Sequence, residues 1–328
     1  MNIYYKLLPI FFSMTLMLLT GCSGGNEGFE TPPPATQAPP TGIADENSFT
    51  ISRNPAAVEG LNYTDVESEV TVLVADRHNH PVPDDTVIRF LTNGGSIEPS
   101  CVTEGGSCKV TWRSQDPIPG VAPNPGLPGK AVILAYTEGE ESFLDLNDND
   151  AHDAGELIRD ISEPYIDHNL NGTRDADEEF VDYDADNIFD LADGLYTGES
   201  CVGDNTVCKR TRMFVWGSTV ITMSGNAANF AYNPDPASVA ASGVLPITVF
   251  ITDVNGSPMA AETEVKFDAS SGTVEPTTVT VPSTGENTFE LTYTAPATGG
   301  TTETLTVTVT GPVSLSDVID TFPITVTP

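Results

Sequence analysis

The chain is 328 residues long and carries 13 Lys and Arg against 47 Asp and Glu, a formal net charge of −34. A field of that sign repels phosphate backbones and excludes nucleic acid as a partner. An apolar fraction of 39% is too high for a wholly disordered acidic chain, and 26 Pro with 28 Gly interrupt it too often for a helical bundle, which leaves many short strands in two or three domains.

The first element in chain order is a leader. Lys6 precedes an apolar run from Leu7 to Leu19, about 13 residues, short of the roughly 20 that a membrane-spanning helix needs. The run ends in Leu19-Thr20-Gly21-Cys22, which resembles the bacterial lipoprotein signal. The resemblance implies a signal peptide over 1–21, lipidation of Cys22 and a membrane as the partner of that lipid. Ser23 resembles the signal that directs lipoproteins to the outer membrane, on the cell surface or the periplasmic face. Residues 22–47, with Pro32-Pro33-Pro34 and Pro39-Pro40, read as an extended tether.

Four cysteines remain, as Cys101 with Cys108 and Cys201 with Cys208. Two local disulfides in an oxidising compartment account for them, and the C-x2-C spacing of zinc thiolates is absent. The residues between the first pair read as a hairpin turn, which would place Cys101 and Cys108 opposite each other on paired strands.

Residues 70–99 match 247–276 without gaps at an offset of 177, with nine identities in thirty, among them Asp76/Asp253, Pro81/Pro258, Phe90/Phe267 and Gly95/Gly272. Each copy alternates apolar and polar residues, as at Val70, Val72 and Val74, with turn residues between the runs. Strands are also expected at Lys109 to Trp112, Ala131 to Tyr136 and Arg212 to Met223. The Asp-x4-Pro turn, the Thr-x3-Phe strand and the Gly-Ser-Ile-Glu-Pro or Gly-Thr-Val-Glu-Pro segments resemble the bacterial immunoglobulin-like domain of the invasin and intimin type, group 1. The resemblance implies an all-β chain of two tandem Ig-like β-sandwiches, at 48–225 and 226–328, acting in cell adhesion or as spacers. The first copy is interrupted at 138–210, in the hairpin joining its last two strands. Trp112 and Trp216 are expected to pack within a sandwich.

Residues 138–199 hold 21 Asp and Glu against Arg159 and Arg174, so 2 − 21 gives −19. The acids are spaced like the oxygen ligands of calcium loops. Asp167, Asn169, Asn171, Asp175 and Glu178 fall at positions 1, 3, 5, 9 and 12, with Gly172 at the sharp turn and the Thr173 carbonyl at position 7. Asp145, Asn147, Asn149, Asp153 and Glu156 repeat the pattern with Asp150 in place of the glycine. Asp182, Asp184, Asp186, Asp190 and Asp193 repeat it with Asn187 there and a shorter residue at position 12. A Glu stands four residues before each loop, as Glu141, Glu163 and Glu178. The flanks lack helical periodicity, so the segment resembles EF-hand-type loops without full helix pairs, as in dockerin-like calcium repeats. Up to three structural Ca2+ ions are expected, and they would bring −19 to −13. Phe143, Tyr165, Phe180 and Phe189 are expected to form the core of the insertion.

No catalytic set can be assembled. His78 and His80 share a turn without a third zinc ligand, His152 and His168 occupy non-ligand loop positions, and no Ser-His-acid arrangement or opposed carboxylate pair is recognisable. The expected function is that of a surface-exposed, lipid-anchored, non-enzymatic adhesin or structural stalk with a calcium-stiffened insertion. The alternative is a calcium-dependent module recognising a glycan or protein ligand.

Overall fold

The computed structural model describes residues 38–328 other than 203 and 205, so Cys22, the leader and much of the tether lie outside the described residues. Residues Pro39–Pro328 form one compact unit. Alternation builds the first sandwich: in Glu67–Val74, Ser68, Val70, Val72 and Val74 are buried between outward neighbours. That strand lies in a sheet ordered Phe49–Asn54, Glu67–Val74, Ser107–Arg113, Ser96–Ile97. The facing sheet runs Ala57–Val58, Met213–Met223, Lys130–Glu140, Val87–Thr92, Ser100–Val102, with Ala44–Asp45 added in parallel beside Gly139 and Glu140. Between them lie Val72, Ile88, Phe90, Trp112, Ile133 and Ile221, each fully buried Ile or Phe contributing roughly 1.5–3 kcal/mol.

The second sandwich repeats this layout. One sheet holds Asn229–Asn233, Val244–Thr252, Thr288–Thr294 and Thr273–Glu275, the other Ala237–Ala240, Asp317–Thr327, Thr301–Thr310, Glu264–Ala269 and Thr278–Thr280. The described residues are all-β, two tandem immunoglobulin-like sandwiches, and among them no helix is long and apolar enough to cross a membrane. The sandwiches are pinned together. Ala56 N–H donates to Ser283 O at 2.7 Å, and the Glu59 carboxylate, 2% exposed, accepts from the amides of Val313 and Ser314 at 2.6 and 3.0 Å.

Lys130–Glu140 pairs antiparallel with Met213–Met223, from Lys130 opposite Thr222 to Gly139 opposite Met213. In the second sandwich Thr301–Thr310 and Asp317–Thr327 pair in the same way with only residues 311–316 between them. Residues 141–212 therefore replace a short loop. They also cover the outer face of their own sheet, where Val132, Leu134, Trp216 and Val220 pack on Ile166 and Val181. Ala135 faces Phe90 and Val307 faces Phe267, so Val132, Leu134 and Tyr136 correspond to Thr304, Thr306 and Thr308 of the uncovered copy. A strand buried on both faces reads as a continuous apolar run; a half-buried one alternates.

Three expectations are corrected. Both disulfides are present, but Cys101 pairs with Ile88 in one sheet and Cys108 with Val72 in the other, so that bond ties sheet to sheet rather than closing a hairpin. The crossover turns at Gly105 and Gly106, both left-handed at φ 58° and 75°. Trp112 is fully buried in the sandwich, whereas Trp216 points outward, packs on Tyr165 and donates Nε1–H to Ser162 O at 2.9 Å. Its ring anchors the insertion. The strand expected over Ala131 to Tyr136 continues to Glu140, into the stretch expected to belong to the insertion, and Ala44–Asp45 pairs with its end.

Candidate metal centre

The insertion is built from two short hairpins rather than helices. Ser142–Phe143 pairs with Ile158–Arg159 around the first acidic loop, and Tyr165 bridges Phe180 around the second. In each loop the leading Asp collects backbone amides. Asp145 accepts from Asn147, Asn149 and Asp150 at 3.2, 3.3 and 2.8 Å, and Asp167 from Asn171 and Gly172 at 3.0 and 2.7 Å. The closing Glu reaches back with both oxygens. Glu156 accepts from Leu146 and Asp153 at 2.8 and 3.0 Å, and Glu178 from His168 and Asp175, both at 2.9 Å. The side-chain amides of Asn147 and Asn149 converge on Asp153, and those of Asn169 and Asn171 on Asp175.

All three loops share a turn that needs left-handed backbone at two places, Asp148 and Asp150, Leu170 and Gly172, Ala185 and Asn187, with φ from 56° to 78°. Asp150 occupies the glycine place at φ 69°, its carboxylate held by Arg77 and by His78 Nε2 at 2.8 Å. Against a burial effect that would raise it, these hydrogen bonds keep the Asp150 carboxyl below its ordinary value.

The third loop closes differently from the sequence expectation. Asp182 accepts from Ala185 and Asn187 at 2.6 and 2.7 Å, but Asp193 lies elsewhere, accepting from Leu195 N–H at 2.9 Å and pairing with Lys209. Glu163 takes the closing place, its two oxygens accepting from Tyr183 and Asp190 at 2.7 and 3.0 Å. These are the places relative to Asp182 that Leu146 and Asp153 hold relative to Asp145. Hairpin register explains the exchange: Ile166 N–H donates to Glu179 O and Val181 N–H to Pro164 O, which leaves Glu163 opposite Asp182. Carboxylate oxygens of Glu163, Asp184 and Asp190 lie within 4.8 Å of one another, as do those of Asp182, Asp184 and Asp186.

Glu163 is 5% exposed, and burial holds its carboxyl above the ordinary range. Burial also pushes Glu141 up to about 8, outweighing the amides of Ile161 and Thr197 that donate to it. Carboxylates crowded this way, Glu163 buried and Asp184, Asp186 and Asp190 exposed, fit a hard divalent cation, since the donors are all oxygens and the closing Glu presents two of them.

The aromatic residues form two clusters. Phe143 packs edge-on against Tyr196 beside the Cys201–Cys208 bond, while Tyr165, Phe180 and Phe189 meet edge to face, Phe180 and Phe189 under Arg174 and Tyr165 against Trp216. His78 and His80 group with Asp76, whose oxygens already accept the amides of Thr41, His78 and His80 at 2.7, 2.9 and 2.9 Å, which makes the group a built turn.

No family model and no curated protein matches the chain. Among solved structures it is similar to the D0-D1 domain of intimin, at 14% identity and TM-score 0.23, over 84% of this chain and 97% of that one. It is similar to the Yersinia pseudotuberculosis adhesin InvE at 13% identity and TM-score 0.26, over 86% of this chain and 60% of that one. A C-terminal 282-residue intimin fragment in complex with the Tir intimin-binding domain gives 11% and 0.26, over 85% and 64%. The fold assignment rests on the sheets themselves.

Proposed function

We propose that this chain is a lipid-anchored, non-enzymatic envelope protein, held at the outer membrane through Cys22, whose two sandwiches serve as an adhesive module or stalk. Calcium stiffens its acidic insertion. The ions would be held by Asp145, Asn147, Asn149, Asp153 and Glu156; by Asp167, Asn169, Asn171, Thr173, Asp175 and Glu178; and by Asp182, Asp184, Asp186, Asp190 and Glu163. When bound, calcium supplies charge compensation and cross-linking of chain segments. The residues supply the turn and the carboxylates. The observation that carries this reading is the recurrence, three times, of one pattern of leading Asp, left-handed turn and two-oxygen closing Glu.

Limited proteolysis of the protein with calcium and with chelator tests it: residues 138–210 should be protected by calcium, and an identical digestion pattern in both buffers contradicts it. Extracellular calcium modules bind at about 10⁻⁴–10⁻³ M, which suits millimolar external supply.

A second reading, a calcium-dependent module recognising a protein or glycan, is favoured by exposed apolar side chains on the insertion. Leu146, Leu157 and Leu191 are 66%, 69% and 74% exposed. Loss of ligand binding on chelation would select it over the stalk.

A further inference from the structure

A fourth loop of the same kind is assembled from three separated segments. Asp160 leads it, accepting from the amides of Asp193 and Gly194. Asp193 in turn accepts from Leu195 N–H at 2.9 Å, the same two-residue step that joins Asn149 to Ala151, Asn171 to Thr173 and Asp186 to Ile188. Gly194 supplies the left-handed turn at φ 82°. Glu141 closes the loop with both oxygens, accepting from Ile161, the residue after Asp160, and from Thr197, three after Gly194, at 2.9 and 2.8 Å. The closing Glu of the first two loops makes the same two contacts. Hairpin register again sets this up, since Ser142 opposite Arg159 leaves Glu141 opposite Asp160.

The fourth loop differs in what it holds. Thr197 stands where the others carry Asp153, Asp175 and Asp190, and it pairs in parallel with Lys209. Cys208, fully buried in its disulfide, fixes the residue before that lysine. The Lys209 ammonium lies on the Asp193 carboxylate, in a cleft of ≈ 250 Å³ that Glu141 and Asp190 also line. Its hydrogen bond to Asp193, with the charges of Asp193 and Asp190, raises its affinity for the proton.

We infer that Lys209 is the built-in cation of this fourth loop, occupying the place that calcium takes in the other three and making this one site independent of metal. The contrast rests on the calcium reading above. A covalently delivered ammonium keeps the junction of the insertion with Lys130–Glu140 closed when calcium is low, while the three outer loops respond to it.

The test is native mass spectrometry of the full chain in calcium, beside proteolysis in chelator. Wild type should carry three calcium ions, Lys209→Met four, Lys209→Arg three, and the pair Lys209→Met with Glu141→Gln three again. Equal ion counts for wild type and Lys209→Met, or four in wild type, would overturn the inference. If wild type binds no calcium, the calcium reading fails, and the lysine is judged in chelator alone. There Lys209→Met should be cut within residues 141–212 about fivefold faster than wild type, with Lys209→Arg unchanged. Equal cutting of the Met and Arg variants would overturn it.

Discussion

Asp76 and Asp253, 177 residues apart, make the same set of hydrogen bonds. Each is fully buried and accepts the amides two and four residues on, His78 and His80 at 2.9 Å in the first turn and Asn255 and Ser257 at 2.8 Å in the second. Each also accepts one amide from the chain entering its sandwich, Thr41 at 2.7 Å and Gly225 at 2.8 Å. The left-handed residue of the turn is Asn79 in one and Gly256 in the other. The carboxylate thus replaces backbone pairing that a turn cannot provide for itself.

Replacing either Asp with Ala leaves three amides without their acceptor, part-buried in the first turn and mostly buried in the second. Each substitution should cost about 3 kcal/mol of stability, read as a lower denaturation midpoint at unchanged slope. A loss under about 0.5 kcal/mol, the range of ordinary surface changes, would show the turn to be held by other contacts.

The Asp76 carboxyl also sets a pH dependence. Burial tends to raise its pKa, but the amide donors prevail and hold it below the ordinary value. A carboxyl depressed in the folded state contributes stability that is present above its unfolded pKa, about 3.9, and is lost as pH falls through the folded value. Acid titration of Asp76→Asn should therefore show a shallower fall in stability below about pH 4 than wild type; parallel curves would contradict this.

Glu163→Gln should remove one calcium from the three and leave the other two, because Glu163 closes only the third loop. Asp193→Asn should leave the calcium count unchanged. The reverse ranking, with Asp193 the costlier loss, would restore the contiguous third loop expected from spacing.

Trp216→Ala removes the ring on which Tyr165 packs and the donor to Ser162. Large aromatic truncations cost about 3–5 kcal/mol when fully buried, and this half-buried one should cost roughly 2 kcal/mol. The cost should fall on the insertion, seen as faster cleavage within 141–212 with the second sandwich intact by hydrogen exchange.

Much of the fold is legible in the chain because alternation at Val70, Val72 and Val74, and the repeat around Asp76 and Asp253, are local signals with one physical meaning. The continuous run Ala131 to Tyr136, against Thr304, Thr306 and Thr308 in the other copy, is a legible sign that something covers that face. The leading Asp and closing Glu of the first two loops are also local, at fixed spacing. The place of Glu163 in the third loop is not legible, because its partnership with Asp182 depends on hairpin register, which spacing within the loop does not encode. A signal for the fourth loop does exist: Glu156-Leu-Ile-Arg-Asp160 repeats the spacing of Glu178-Glu-Phe-Val-Asp182. What spacing cannot show is that Asp193 and Gly194, more than thirty residues on, complete it.

Isothermal titration calorimetry of the full chain with calcium tests the metal assignment most directly. The account predicts three equivalents with Kd of about 10⁻⁴–10⁻³ M, falling to two in Glu163→Gln. No heat of binding at millimolar calcium, together with a melting temperature indifferent to chelator, would contradict it.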